Sequence, residues 1–241
     1  MASSFSPVPQ RLQDEIEWIS ESRAHYEVFV DDDNIRKFVA FIYGPRHSVY
    51  RDKIMGFRFE IPDGYPEEPP RVTFLQYARK DVRMHPNFHP DGTVNLSYLK
   101  PGYSGLCWHR DLNIHHSESP ILESKLDDVP HLWDVKRMHE NLYQYNTYVQ
   151  HQTWYLLIDY LNHEPNNDIK IWIKDFIAER AMGIVRAIRH EKDRNEVLES
   201  FYTPYGEHGY TTYEPDYMDL ATKMARAIIF SRTPHEVIEI D

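Results

Sequence analysis

The residues with the greatest potential for chemistry lie in one irregular stretch, residues 85–116. This stretch holds the only cysteine of the chain, Cys107, which Trp108 and His109 follow directly. A thiolate is a strong nucleophile, and a neighbouring imidazole can lower the pKa of a thiol. The same pattern is also typical of a small apolar side chain that packs beside an aromatic one. We favour the packing interpretation and keep Cys107 as a minor catalytic candidate.

Histidines in the same stretch raise the question of a metal site. They are His85, His89, His109, His115 and His116. Their spacings match no standard zinc pattern, and a single cysteine excludes a cysteine-rich site. A solvated polar loop explains these histidines better. We therefore predict neither a metal ion nor another cofactor.

The elements that must position this stretch begin with a predicted helix and a predicted sheet. Leu12, Ile16 and Ile19 recur at helical spacing within residues 10–21. β-Branched and aromatic residues, bounded by Gly, Pro and Asp turns, predict four strands at residues 26–30, 35–43, 57–61 and 71–75. Short strands in succession predict an antiparallel meander.

The C-terminal half is predicted to be helical. Apolar residues recur at helical spacing in residues 154–161, 172–188 and 220–228. Because the stretch 100–152 is long for a connection, a further helix is predicted at residues 131–145. Five late tyrosines follow no helical period throughout: Tyr202, Tyr205, Tyr210, Tyr213 and Tyr217. Two interpretations of them stay open, a loop that packs across the domain and an exposed aromatic contact surface. The fold class expected from these patterns is α+β.

Three sequence words in order resemble the ubiquitin-conjugating enzyme (UBC-fold) family. The first is Gly-Tyr-Pro at 64–66 with Pro-Pro-Arg-Val-Thr-Phe at 69–74. The second is His-Pro-Asn-Phe at 85–88 with Val-Asn-Leu at 94–96, and the third is Leu-Asn-His-Glu-Pro-Asn at 161–166. The resemblance implies a UBC-like core over residues 1–168, with an insertion at about 100–152 and a helical extension over 169–241. Shorter words near residues 82–84 and 96–99 are most similar to the Use1-type branch.

The resemblance aligns Asn95 with the catalytic cysteine of the family. That cysteine holds the C-terminus of ubiquitin as a thioester, which requires a thiol as nucleophile and leaving group. An asparagine amide can do neither. Asn87 and His85 match the family's His-Pro-Asn turn, whose asparagine is thought to steady an oxyanion or to pin the loop. Since the thiol is missing, the loop-pinning role is the one expected here.

Other departures from the family concern its docking surfaces. The family docks ligases through an apolar residue after Tyr-Pro, where this chain has Glu67. The first helix of the family presents basic residues to the activating enzyme, and here only Arg11 remains among acidic neighbours. Trp108 stands near the place of the family's Trp-Ser-Pro word. The candidate partner-binding residues are therefore Arg11, Tyr65, Pro66, Glu67 and Trp108.

Composition and charge limit the classes of molecule that the chain is expected to bind. A formal net charge of -11 argues against nucleic acid and against an anionic membrane surface. Residues 1–9 lack an apolar segment, and no run of eighteen apolar residues occurs, so we expect a cytosolic or nuclear protein. The partners implied by the resemblance are ubiquitin or a related modifier, an active conjugating enzyme, or a ligase.

The leading functional hypothesis is a catalytically inactive ubiquitin-conjugating-enzyme-like protein that acts by binding. One alternative is an active enzyme, either with Cys107 as nucleophile or with its natural cysteine exchanged for Asn95. The other alternative is an interaction scaffold unrelated to ubiquitin.

Overall fold

The computed structural model describes residues 10–21, 26–79, 82, 84–85, 87–89, 91–96, 99–100, 135–195, 201–206 and 209–233. The elements in chain order are α1 (Gln10–Glu21), β1 (Tyr26–Asp31), β2 (Asn34–Tyr43), β3 (Ile54–Glu60), β4 (Arg71–Phe74), α2 (Val135–His163), α3 (Asn167–Asn195), β5 (Phe201–Gly206), β6 (Gly209–Tyr213) and α4 (Tyr217–Ser231). Cys107, Trp108, His109, His115 and His116 lie outside the described residues.

The chain divides into two compact units, which are described separately. The first unit consists of Met1–Pro45, Ile54–Leu75 and His85–Pro130, and it contains α1 and the strands β1 to β4. The second unit consists of Arg46–Lys53, Gln76–Met84 and His131–Asp241, and it contains the remaining helices and strands. The predicted boundary at residue 168 stays a prediction.

The first unit is an antiparallel meander in the order β1-β2-β3-β4. Phe38 pairs with Phe59 in register, and their rings stack at 4.7 Å. These two rings lie on the same face of the sheet as Phe57 and Phe74, which pair across β3 and β4. The helix α1 lies against β1 and buries its apolar stripe, Leu12, Ile16 and Ile19. The predicted helix, the four strands and the α+β class are confirmed.

The second unit is built around three helices. Their apolar stripes are buried, with Trp154 and Leu157 on α2, Ile173 and Ile177 on α3, and Leu220 on α4 among the most buried side chains. The separate helices predicted at 131–145 and 154–161 are one continuous helix, α2. No Gly or Pro interrupts this stretch, so nothing in its sequence ends the first helix before the second begins.

A hairpin that the sequence patterns left open lies between α3 and α4. In it β5 pairs with β6, with Phe201 opposite Tyr213 and Thr203 opposite Thr211. Thr and aromatic residues predominate in both strands, and Gly206 and Gly209 border the turn, which is a hairpin signature. The late tyrosines therefore belong to strands up to residue 213, and Tyr217 begins α4.

A buried ion pair joins the short segment 46–53 to the helices of the second unit. The Lys53 Nζ atom lies 3.0 Å from Glu191 Oε1, and Trp154 Nε1 donates to Glu191 Oε2 at 2.9 Å. Lys53 is 1% exposed. Burial lowers the pKa of Lys53, and the Glu191 carboxylate opposes this effect. Among the helices in the described part of the chain, none is both long and apolar enough to cross a membrane.

Candidate functional site

The candidate site is the loop that carries Asn87 and Asn95, and hydrogen bonds hold it as two short antiparallel arms. The Asn95 N–H donates to the Asn87 carbonyl at 2.8 Å, and the His89 N–H donates to the Thr93 carbonyl at 2.9 Å. Phe88 and Val94 form an antiparallel bridge between the same arms. Backbone pairing of this kind fixes the direction in which each side chain of the loop leaves the chain.

The loop is joined to the last strand of the sheet. The Phe74 N–H donates to the Gly92 carbonyl at 2.8 Å, and Thr73 forms a bridge with Thr93. Gly92 has a φ of 88°, and a Cβ at this position would lie 2.9 Å from the Phe74 carbonyl oxygen. This conformation and this close approach both require glycine.

An aromatic anchor seats the loop on the core of the first unit. The Phe88 ring lies 4.9 Å from the Phe74 ring and 5.5 Å from the Phe57 ring, and its side chain is 1% exposed. Together with the bridge to β4, this contact places the loop on the sheet face that carries the phenylalanine core.

Asn95 faces solvent between two buried neighbours. Val94 and Leu96 are 7% and 5% exposed, whereas Asn95 is exposed. This alternation follows from the extended backbone, in which successive side chains point in opposite directions. Among the described residues, no hydrogen bond to the Asn95 side chain is present. The site therefore offers a solvent-accessible carboxamide, which is neither a nucleophile nor a leaving group of the kind that acyl transfer requires.

His85 is buried beneath the loop, at 4% exposure. Its Nδ1 atom accepts the Asn87 N–H at 3.0 Å, and its ring lies 4.8 Å from the Phe88 ring. Because Nδ1 accepts this bond, the proton of the neutral imidazole is on Nε2. In the described residues, the bonds of Asn87 to the loop come from its main chain. The role of its side-chain amide stays a prediction.

The structure brings two of the predicted partner-binding residues together. Arg11 Nε lies 2.6 Å from Glu15 Oε1, and the Tyr65 hydroxyl donates to the other oxygen of the same carboxylate. Arg11 also lies over the Tyr65 ring, 5.6 Å from its centroid. Burial, and after it the hydrogen bond to Glu15, raises the pKa of Tyr65. The positive charge of Arg11 is therefore paired with a carboxylate of the same helix, α1. Of the other predicted partner-binding residues, Pro66 is half-buried and Glu67 is exposed.

The outward face of α1 carries a residue that sequence reasoning missed. Trp18 is 46% exposed, and Asp14 and Glu17 are exposed on the same helix. Single exposed aromatic side chains are common on protein surfaces, so Trp18 by itself does not mark a binding site. The sequence does indicate that this side chain is exposed, since Trp18 falls outside the apolar stripe of Leu12 and Ile16.

No group of three or more potential metal ligands is found within the described ranges. His85 is engaged by Asn87, and His89 is half-buried in the loop. The other histidines of the predicted loop, His109, His115 and His116, lie outside the described residues.

Comparison with known proteins defines the family. The family model described as "Ubiquitin-conjugating enzyme" matches residues 11–150, which is more than half of the chain. The chain therefore belongs to the ubiquitin-conjugating enzyme family, and its fold is that of the family.

Individual relatives match shorter stretches. Ubiquitin-conjugating enzyme E2 13 of Saccharomyces cerevisiae is 40% identical over 73 residues, which cover 30% of this chain and 44% of the yeast protein. Ubiquitin-conjugating enzyme E2 7 of Triticum aestivum is 33% identical over 116 residues, which cover 46% of this chain and 66% of the wheat protein. The structure of human ubiquitin-conjugating enzyme E2 G1 aligns with a TM-score of 0.42 and 19% identity, covering 48% of this chain and 95% of that one. The match thus spans less than half of the yeast protein's length.

Proposed function

We propose that this chain is a catalytically inactive member of the ubiquitin-conjugating enzyme family that acts in the ubiquitin pathway by binding. The observation that carries the proposal is Asn95, an exposed carboxamide on the loop that begins with the His-Pro-Asn turn. In this reading Asn95 occupies the position of the catalytic cysteine. Binding needs only a surface, so loss of the thiol is compatible with it.

The surroundings of Asn95 support a site that keeps its shape without its nucleophile. The loop has an aromatic anchor at Phe88, a glycine at its tight turn, and backbone bonds on both arms. Such a loop needs no further rearrangement to hold a thiol at residue 95. On this basis, Asn95→Cys is expected to restore a reactive group in an already ordered position.

The docking surfaces support the same proposal. Glu67 presents an exposed carboxylate where an apolar ligase anchor is expected, and an unpaired charge in a desolvated interface is unfavourable. Arg11 is paired with Glu15, and the exposed face of α1 carries Asp14 and Glu17. A surface of this charge is poorly suited to an activating enzyme that binds basic residues.

The partners that we propose are ubiquitin or a related modifier, an active conjugating enzyme, or a ligase bound in a mode that does not use an apolar residue at 67. The short words shared with the Use1-type branch suggest a chain that combines a UBC core with a helical extension. We place it in the cytosol or the nucleus.

A thioester assay tests the catalytic part of the proposal. The protein is incubated with activating enzyme, ATP and labelled ubiquitin, and the products are separated without reductant. The wild-type chain is expected to form no thiol-labile adduct. An adduct on Asn95→Cys would show in addition that the rest of the site, including its access to the activating enzyme, is intact. Thr93→Cys is the matched control, because Thr93 is exposed on the same loop two residues away and should give no adduct.

The same assay tests the alternative hypothesis, in which Cys107 is the nucleophile. The specific observation in its favour is the His109 imidazole two residues after the thiol. A thiol-labile adduct on the wild type that disappears in Cys107→Ser would overturn the inactive proposal and assign catalysis to Cys107.

A titration separates a ubiquitin-binding protein from an unrelated scaffold. Isotope-labelled ubiquitin is titrated with the full chain, and chemical shifts are followed by NMR. Saturable shifts at concentrations up to about 1 mM would support ubiquitin binding, since weak signalling contacts fall in that range of affinity. If neither ubiquitin nor a ubiquitin-charged conjugating enzyme shifts any resonance, the binding proposal is wrong.

A further inference from the structure

The second unit contains a surface hollow that the proposed function does not use. It has a volume of about 470 Å³ and lies between the C-terminal half of α2, the face of α4 that carries Lys223 to Phe230, and residues 78–79. Hollows of roughly 300–1,000 Å³ are typical of ligand sites. We refer to it as the α2–α4 hollow.

The charge of the α2–α4 hollow is opposite to that of the whole chain. Its lining contains three cations, Arg79, Lys223 and Arg226, and one carboxylate, Asp159. The formal sum of the lining is +2 with His163 neutral, while the chain carries -11. A local field of this sign on an acidic protein favours an anionic ligand.

Asp159 does not neutralise these cations, because main-chain and neighbouring groups already engage it. Its Oδ2 accepts the Tyr77 N–H at 2.8 Å, and its Oδ1 accepts the Ala78 N–H at 3.0 Å. The His163 Nδ1 atom lies 2.9 Å from Oδ1. The carboxylate therefore ties residues 77–78 to α2, and the cations of the hollow are not its partners.

Two of the three cations have no carboxylate partner within the described part of the chain. Arg79 donates to the Gln152 side chain and lies over the Tyr155 ring, 4.8 Å from its centroid, and its Nε atom is buried without an acceptor. Arg226 is exposed and makes no ion pair with the residues described. Lys223 pairs with Asp219 at 2.6 Å, but both side chains remain about half exposed, at 49% and 40%.

The lining also has an apolar part. Ile158 and Leu161 line the hollow from α2, and Ala227 and Phe230 line it from α4. Phe230 is 45% exposed, which is high for a phenylalanine side chain. A bare phosphate would contact the cations but leave this apolar surface in water. A ligand that carries both carboxylates and an apolar side chain would cover both parts.

We propose that the α2–α4 hollow binds an acidic peptide segment of a partner protein. Carboxylates of the segment pair with Arg79, Lys223 and Arg226, and a bulky apolar side chain covers Phe230 and its neighbours. The site lies in the second unit and does not depend on the chemistry of Asn95. Failure of the thioester assay and failure of this inference are therefore separate results.

An array of hexapeptides tests the inference on the full chain. Each peptide carries two glutamates and one leucine or phenylalanine in every arrangement, with serine or alanine elsewhere, and each has a counterpart with glutamine in place of glutamate. The best binder is then measured by fluorescence polarisation. Glutamate peptides are expected to bind and their glutamine counterparts are not. Arg226→Gln and Lys223→Gln are each expected to weaken binding roughly tenfold, as the loss of a charge-assisted hydrogen bond does.

Arg189→Gln is the matched control, because Arg189 is also exposed on a helix of the second unit and does not line the hollow. It should leave the affinity unchanged. Equal loss in Arg189→Gln and Arg226→Gln would overturn the inference, since the attraction would then be unspecific. Binding of glutamine peptides as tightly as glutamate peptides, or no binding by any peptide of the array, would also overturn it. So would saturable binding of inorganic phosphate, or of vesicles that contain phosphoinositides, without binding of the peptides.

Discussion

The buried ion pair of the second unit gives a prediction whose size follows from the structure. The Lys53 side chain is 0% exposed and the Glu191 side chain is 11% exposed, with 3.0 Å between Nζ and Oε1. The ammonium also lies 4.2 Å from the centroid of the Trp154 ring. The change that tests this arrangement is Glu191→Gln, because it removes the charge and keeps an oxygen that can accept the Trp154 Nε1–H bond.

The expected loss is about 3–5 kcal/mol of unfolding free energy at pH 7, the range found when one partner of a buried ion pair is removed. Deprotonation of Lys53 sets an upper limit to this loss. Instead of remaining charged, Lys53 can release its proton, and the ordinary pKa of its ammonium is 10.5. Each pH unit below that value costs about 1.4 kcal/mol, so neutral Lys53 at pH 7 costs about 5 kcal/mol.

The protonation of Lys53 also sets the sign of the pH dependence. In Glu191→Gln the folded state holds Lys53 neutral, while the unfolded state binds a proton below its pKa of 10.5. The unfolding free energy of the variant is therefore lowest at neutral pH and rises by about 1.4 kcal/mol per unit as the pH rises toward that value. Urea unfolding followed by tryptophan fluorescence at about pH 7 and about pH 9.5 measures both quantities.

Two control variants make this prediction refutable. Glu179→Gln breaks the exposed pair with Arg180, at 3.2 Å and with side chains 71% and 45% exposed, and should cost less than about 1 kcal/mol. Adding Lys53→Met to Glu191→Gln removes the orphaned charge and should recover most of the loss. If Glu191→Gln is no less stable than Glu179→Gln, or if the added Lys53→Met recovers nothing, the account of a buried charge is wrong.

Two further predictions concern a buried imidazole and a constrained glycine. His151 is 2% exposed, and burial lowers its pKa from 6.5 to about 4. Below pH 6.5 the unfolded state binds a proton that the folded state does not, so unfolding free energy should fall by about 3 kcal/mol between pH 6.5 and pH 4. The urea midpoint should fall more steeply over this range in the wild type than in His151→Gln. Gly92→Ala should destabilise the first unit by about 1–3 kcal/mol, because of its φ of 88° and the contact with the Phe74 carbonyl.

Gly183→Ala is the control for the glycine, since a Cβ there meets nothing within 4 Å and the residue lies inside α3. It should stabilise the protein by about 0.5–1 kcal/mol, so the two substitutions should have opposite signs in urea unfolding. Equal effects of the two would contradict the assigned backbone constraint. A wild type and a His151→Gln variant with parallel pH profiles would contradict the neutral buried imidazole.

Much of the fold could be predicted from local patterns. The helix α1 has the predicted bounds, because Leu12, Ile16 and Ile19 mark one face without ambiguity. The strands of the meander lie between strong turn signals, and β4 alternates exposed and buried residues. The hairpin β5–β6 was not predicted, because its strands are short and its tyrosines suit several surroundings. The length of α2 was not predicted either, because its apolar stripe was interpreted as two segments.

The candidate site, too, could be predicted from the sequence only in part. The family's sequence motifs around His85 and Asn95 could be recognised from the sequence alone, and the match to the family model confirms the family. The engagement of Arg11 by Glu15 and Tyr65 could be seen only in the structure, since Tyr65 is far from α1 in sequence. The exposure of Trp18 was not predicted, although its position outside the apolar stripe of α1 indicates it.

The sequence by itself determined which chemistry residue 95 can perform, because nucleophilicity is a property of the side-chain type and an amide lacks it in any fold. It also determined the α+β class, since periodicity and turn residues act locally. Only the tertiary structure decided that Asn95 faces solvent between Val94 and Leu96, that Lys53 meets Glu191, and that Arg79 joins Lys223 and Arg226 around one hollow. The last two of these arrangements join residues far apart in the chain, and the burial of Val94 and Leu96 depends on what packs over them. All three depend on how whole elements pack, which no local pattern contains.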